Sequence, residues 1–95
     1  MSHLLFRICD TFQITGRGVV IATDVKISEA EAKGVSLKVG DSIELHRPDG
    51  SRLAATIRGV EMLNPYNPEH RLAFLLSPEI LKDDVPTGTE AWSYS

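Results

Sequence analysis

From Leu4 to Ile14 the chain alternates. Leu4, Phe6, Ile8, Asp10, Phe12 and Ile14 share one parity, and Leu5, Arg7, Cys9, Thr11 and Gln13 the other. A period of two marks a strand with one buried face, which makes Phe12 a core candidate beside Phe6 and Ile8. Asp10 interrupts the apolar set and suggests a bulge or bend. Gly16-Arg17-Gly18 follows, and Val19 to Val25 is then rich in β-branched residues, so the stretch reads as strand, tight turn and returning strand. The two glycines supply the positive-φ positions that a short hairpin loop needs. The rest of the chain is organised around this hairpin.

Further along, Ser28-Glu-Ala-Glu31 matches a capping box, with Gly34 placed to stop it. This predicts an excursion of one or two helical turns. Leu37 and Val39 lead to Gly40-Asp41, and Ile43 and Leu45 mark a third strand through about Arg47. Pro48-Asp-Gly-Ser51 reads as a turn, with proline presetting φ and glycine taking the positive φ that follows. The next strand runs from about Arg52 to Met62. Leu53, Ala55 and Ile57 are odd while Val60 and Met62 are even, so a bulge is expected at Gly59. Asn64 to His70 holds two prolines and reads as a loop. Leu72, Phe74 and Leu76 mark a short buried strand, and Ser77-Pro78 suits the start of a short helix through Ile80 and Leu81. Val85 to Gly88 is another turn, and a last strand spans about Thr89 to Tyr94.

Six or seven short strands with almost no helix predict an all-β fold. The expected form is a small closed antiparallel β-barrel with one or two short helical turns, because closure removes edges that a small sheet must otherwise protect. Ninety-five residues fit one domain, 1–95, with no room for a second core. A net charge of −3 argues against broad electrostatic binding to a phosphate backbone, which needs several Lys or Arg acting together. The single cysteine, Cys9, forms no internal disulfide. The chain starts without a signal-peptide pattern and holds no run of apolar residues long enough to span a bilayer, so a cytoplasmic protein without membrane contact is expected.

Three blocks carry a family resemblance. They are Phe12-Gln-Ile-Thr-Gly-Arg-Gly with its β-branched continuation, Leu37-Lys-Val-Gly-Asp-Ser-Ile-Glu-Leu45, and Ala55-Thr-Ile-Arg-Gly-Val-Glu-Met62. In this order and spacing they resemble the second, β-barrel domain of translational GTPases such as elongation factor Tu. The resemblance covers about residues 5 to 92 and implies that domain's closed barrel. In that family the acidic residue of Gly-Val-Glu-Met contributes to the pocket for the aminoacylated 3′ end of tRNA, and Glu61 stands at the matching position. The basic residue that follows in the family is replaced here by Leu63 and Asn64. The proline-containing loop from Asn64 to His70 replaces a glycine-containing connection, and the link from Lys26 to Ser36 is longer than usual. There is no Gly-x-x-x-x-Gly-Lys-Ser/Thr phosphate loop, so GTP binding is not expected.

No chemistry-bearing motif replaces it. Gly16-Arg17-Gly18 precedes a strand rather than the helix N-terminus a phosphate loop requires. His3, His46 and His70 lack metal-ligand spacing with each other or with Cys9. Glu79, Asp83 and Asp84 lack the spacing of a calcium loop. No cofactor, metal or catalytic residue is expected. Tyr66 and Trp92 are the aromatics open to a partner, with Trp92 alternatively closing the barrel end. The reading is a stand-alone, non-enzymatic binding module that contacts a protein or an RNA-containing, translation-related partner, the tRNA end among the candidates. Its expected contact surface is Arg17, Glu61, Asn64, Tyr66, Asn67 and Arg71. The alternative is a protein-only regulator that mimics a translation-factor surface. A small-ligand or catalytic barrel with a cleft near His70 and Cys9 is the contrasting class.

Overall fold

The structure is a computed structural model, and it describes all residues except 1, 31, 33, 34, 36, 62–68, 94 and 95. Its strands are β1 (Leu4–Ile14), β2 (Gly18–Lys26), β3 (Ser42–His46), β4 (Arg52–Glu61), β5 (Arg71–Leu76) and β6 (Glu90–Ser93). They pair antiparallel in the order β1-β2-β5-β4-β3-β6 and close into a barrel. The expected fold class holds, with six strands among the described residues. Two 3₁₀ turns, Ile27–Glu29 and Lys82–Asp84, are the helical content among the described residues.

The hairpin forms where the sequence places it. Ile14 pairs with Gly18, Arg17 N–H donates to the Ile14 carbonyl at 3.0 Å, and Gly16 takes φ +81°. The turn at Pro48-Asp49 closes with Gly50 N–H on the Arg47 carbonyl and Arg47 N–H on the Ser51 carbonyl, both at 2.9 Å, with Gly50 at φ +90°. This is a turn followed by one left-handed residue, the arrangement that lets a three-residue connection join twisted strands.

The interior is apolar and continuous. Phe6, Ile8, Val19, Ile21, Val25, Ile43, Leu45, Ala55, Ile57, Phe74, Leu76 and Ala91 fill it from all six strands. Phe6 and Phe74 stack at 5.6 Å between ring centroids. Val35, Ile80 and Val85 enter the same core from the connecting segments. The buried threonine hydroxyls find backbone acceptors: Thr11 Oγ1 donates to the Val85 carbonyl at 2.9 Å, and Thr89 Oγ1 to the Pro86 carbonyl at 2.6 Å.

Phe12 departs from expectation. The register of β1 against β2 slips between Ile8 and Asp10, making Cys9 the extra residue of a bulge. A one-residue slip exchanges the two faces of everything beyond it. Thr11 therefore takes the interior position, and Phe12 lies on the outer wall with 48% of its surface exposed. The bulge expected at Gly59 is present, as the register slips between Ile57 and Gly59.

The two helix starts are corrected. Ser28 lies inside the first 3₁₀ turn, and Glu29 accepts from the Lys26 N–H at 3.2 Å. Glu31 and Gly34 fall outside the described residues. Ser77-Pro78 opens a simple turn, with Ile80 N–H on the Ser77 carbonyl at 3.1 Å. The Ser77 hydroxyl oxygen accepts from Thr56 N–H at 3.2 Å, so it anchors this turn to β4.

Phe74→Ala is expected to cost about 3–5 kcal/mol through lost burial and an unfilled cavity. Phe12→Ala, on the outer wall, should cost about 1 kcal/mol or less. Urea unfolding of the two variants checks the assignment, and equal losses would place Phe12 in the core after all.

Candidate functional site

The flipped end of β1 builds a groove on the outside of the barrel. Along one row of the outer wall, register places Asp10 beside Ala22, Ala22 beside Ala73, and Ala73 beside Glu61. In the adjacent row Phe12 stands beside Val20. Two neighbouring alanines leave a dent between bulkier side chains, because side chains two apart on a strand share a face. Phe12 and Ile14 of β1 and Val20 of β2 form its apolar side.

Ile27 closes one end of the groove, held there by its N–H on the His70 carbonyl at 2.8 Å. His70, Arg71 and Glu61 add the polar rim. The groove has a volume of about 390 Å³. That is the size of a small ligand pocket, and a mostly apolar lining with a few polar groups at its edge is the usual composition of one.

Each rim group has a definite environment. Arg17 reaches from the β1–β2 turn and pairs with the Glu61 carboxylate. Their side chains are 52% and 26% exposed, so the pair adds at most about 1 kcal/mol to stability. Arg71 Nη1 points at Cys9 Sγ, 3.1 Å away across the bulge. His70 Nδ1 is buried and has no hydrogen-bond partner among the described residues. Lys26 Nζ pairs with Glu69 at 3.0 Å. The Glu69 hydrogen bond and charge hold the Lys26 ammonium above its ordinary pKa.

Of the residues singled out from sequence, Glu61 and Arg71 line this groove, and Arg17 reaches it only through its pair with Glu61. Arg17 is engaged with Glu61 rather than extended from the turn tip. Asn64, Tyr66 and Asn67 lie outside the described residues. The alanines, Ile27, Phe12, Ile14 and Val20 were missed as site residues. Finding them requires the β2–β5 register, which sequence periodicity does not encode. His70 was near the proposed cleft, but the recorded partner of Cys9 is a guanidinium, which cannot serve as a general base.

Trp92 does not close the barrel end. It lies on the outer face of β6, stacked on His46 at 5.0 Å with the rings 14° apart, and its Nε1 donates to Glu90 at 3.2 Å. His46 Nε2 meets Glu44 at 2.7 Å, so these side chains already partner one another. Among the described residues no group of three or more His, Cys, Asp or Glu is placed to hold a metal ion. No helix among them is long and apolar enough to cross a membrane.

Glu69→Ala is expected to return Lys26 toward the ordinary lysine range, because it removes both the hydrogen bond and the charge that raise it. An NMR titration of the lysine side chain reads this directly; an unmoved titration would show that Glu69 does not set it. No family model and no curated protein matches the chain.

Proposed function

We propose that the chain is a non-enzymatic binding module that receives a partner group in the outer groove of β1, β2, β5 and β4. The observation that carries this reading is an apolar dent on the outside of a closed barrel, with Glu61, His70 and Arg71 among its lining residues. The interior already has its own core, so barrel closure does not require Phe12, Ile14 and Ala73 on the outer wall.

The partner favoured by the resemblance to the elongation factor Tu barrel is an RNA-containing, translation-related assembly, offering the end of a single strand. Glu61 supports it, since the acidic residue of that family's Gly-Val-Glu-Met segment belongs to a tRNA-end pocket and Glu61 lines this groove. An unstacked base at a strand end suits an apolar surface with polar groups at its rim. A protein-only partner is the second reading. It is supported by the net charge of −3, and by the absence of the family's following basic residue at Leu63 and Asn64.

Amide resonances of the labelled protein, followed during addition of a short single-stranded oligoribonucleotide ending in adenosine, test the first reading. Shifts are expected at Phe12, Ala22, Glu61, His70 and Ala73, weakening as salt rises. Ala73→Leu, which fills the dent, is expected to abolish them while leaving the urea midpoint within about 1 kcal/mol of the parent. No shift at low salt removes the RNA reading. A protein captured from the native host and lost on Ala73→Leu then establishes the second.

A further inference from the structure

Glu61 is the carboxylate of the groove wall, and its charge bears on which groups the groove accepts. Arg17 itself does not line the groove. It stands on the turn between β1 and β2, where Arg17 N–H donates to the Ile14 carbonyl at 3.0 Å and fixes its backbone beside a lining residue. From there Nη2 donates to Glu61 Oε1. With that carboxylate neutralised, Arg71 supplies the formal charge on the groove lining. Lys26 and Glu69, at the neighbouring end, cancel each other.

We infer that Arg17 is the positioning residue that sets the charge preference of the groove. By holding the Glu61 carboxylate, it lets the groove take an apolar group that carries an anionic substituent, with Arg71 as the counter-charge. This inference rests on the groove being the binding surface proposed above. The Glu61 carboxylate without its guanidinium repels an anion lodged beside it. Both side chains are partly exposed, so the repulsion is screened and modest. At low salt it corresponds to a loss of about 3- to 10-fold in affinity.

Two dyes of matched ring system test it: anilinonaphthalene sulfonate, which is anionic, and phenylnaphthylamine, which is neutral. Their fluorescence titrations use the whole chain, and the amide resonances of Phe12 and Ala22 show whether each dye sits in the groove. Arg17→Ala is expected to weaken the anionic dye by about 3- to 10-fold at low salt and to leave the neutral dye unchanged. Arg17→Lys should retain most of the anionic affinity, and Glu61→Gln added to Arg17→Ala should restore it. A merely structural role for Arg17 would move both dyes together.

An unchanged ratio of anionic to neutral affinity in Arg17→Ala overturns the role of Arg17 and leaves the groove reading standing. So does failure of Glu61→Gln to restore binding in the double variant. Absence of any dye-induced shift at Phe12 and Ala22 in the parent protein overturns the groove reading, and this inference with it.

Discussion

Closure of the barrel depends on four residues. Glu90–Ser93 is the shortest strand, yet it pairs with β1 through Leu4, Phe6 and Arg7 and with β3 through Ile43 to His46. The seam extends past its ends, with Ser93 N–H on the His3 carbonyl and Ile8 N–H on the Thr89 carbonyl, both at 2.9 Å. Without this strand, β1 and β3 would each present a row of unpaired backbone groups, and the core would open along one side. Ala91, fully buried, is the small side chain that fits the interior at this seam. The preceding connection is tied down by Thr11 on the Val85 carbonyl and by Arg47 beside Asp84 at 3.9 Å, so the closing strand arrives already positioned.

Within that closed wall, bulges decide which side chains face in and which face out. The extra residue at Cys9 takes Phe12 and Ile14 out of the core and gives the interior position to Thr11, whose hydroxyl finds a carbonyl. The cost to the core is small because Phe6, Ile8 and Phe74 fill the space around it. The gain is an apolar outer surface next to two alanines. The groove and the core are thus two products of one register slip, and the same slip places Cys9 against Arg71.

The strands were legible because alternation survives in nearly every one of them, and the turns because glycine and proline have narrow physical roles. Gly59 announced its bulge through a change of apolar parity on either side. Cys9 did not, since Phe12 and Ile14 kept the parity of Phe6 and Ile8 while the backbone changed face beneath them. Asp10 marked the place and not the consequence. The turn expected at Ser28 is present one residue early, as Ile27–Glu29, whereas the helix start at Ser77 failed for a related reason. A capping signal is local, whereas the Ser77 hydroxyl is taken by Thr56 of a different strand. Glu61 and Arg71 do lie on one wall, but the dent between them requires Ala22 to meet Ala73. That meeting is a property of strand pairing, and neither alanine advertises it in the sequence.

The chain has one tryptophan, and the fold puts it on the strand that seals the barrel. Trp92 rests against an imidazole from β3, so its emission depends on whether the last strand has docked on the third. In a refolding experiment this indole is a built-in optical marker of that docking, separable from the formation of the opening hairpin, which contains no tryptophan.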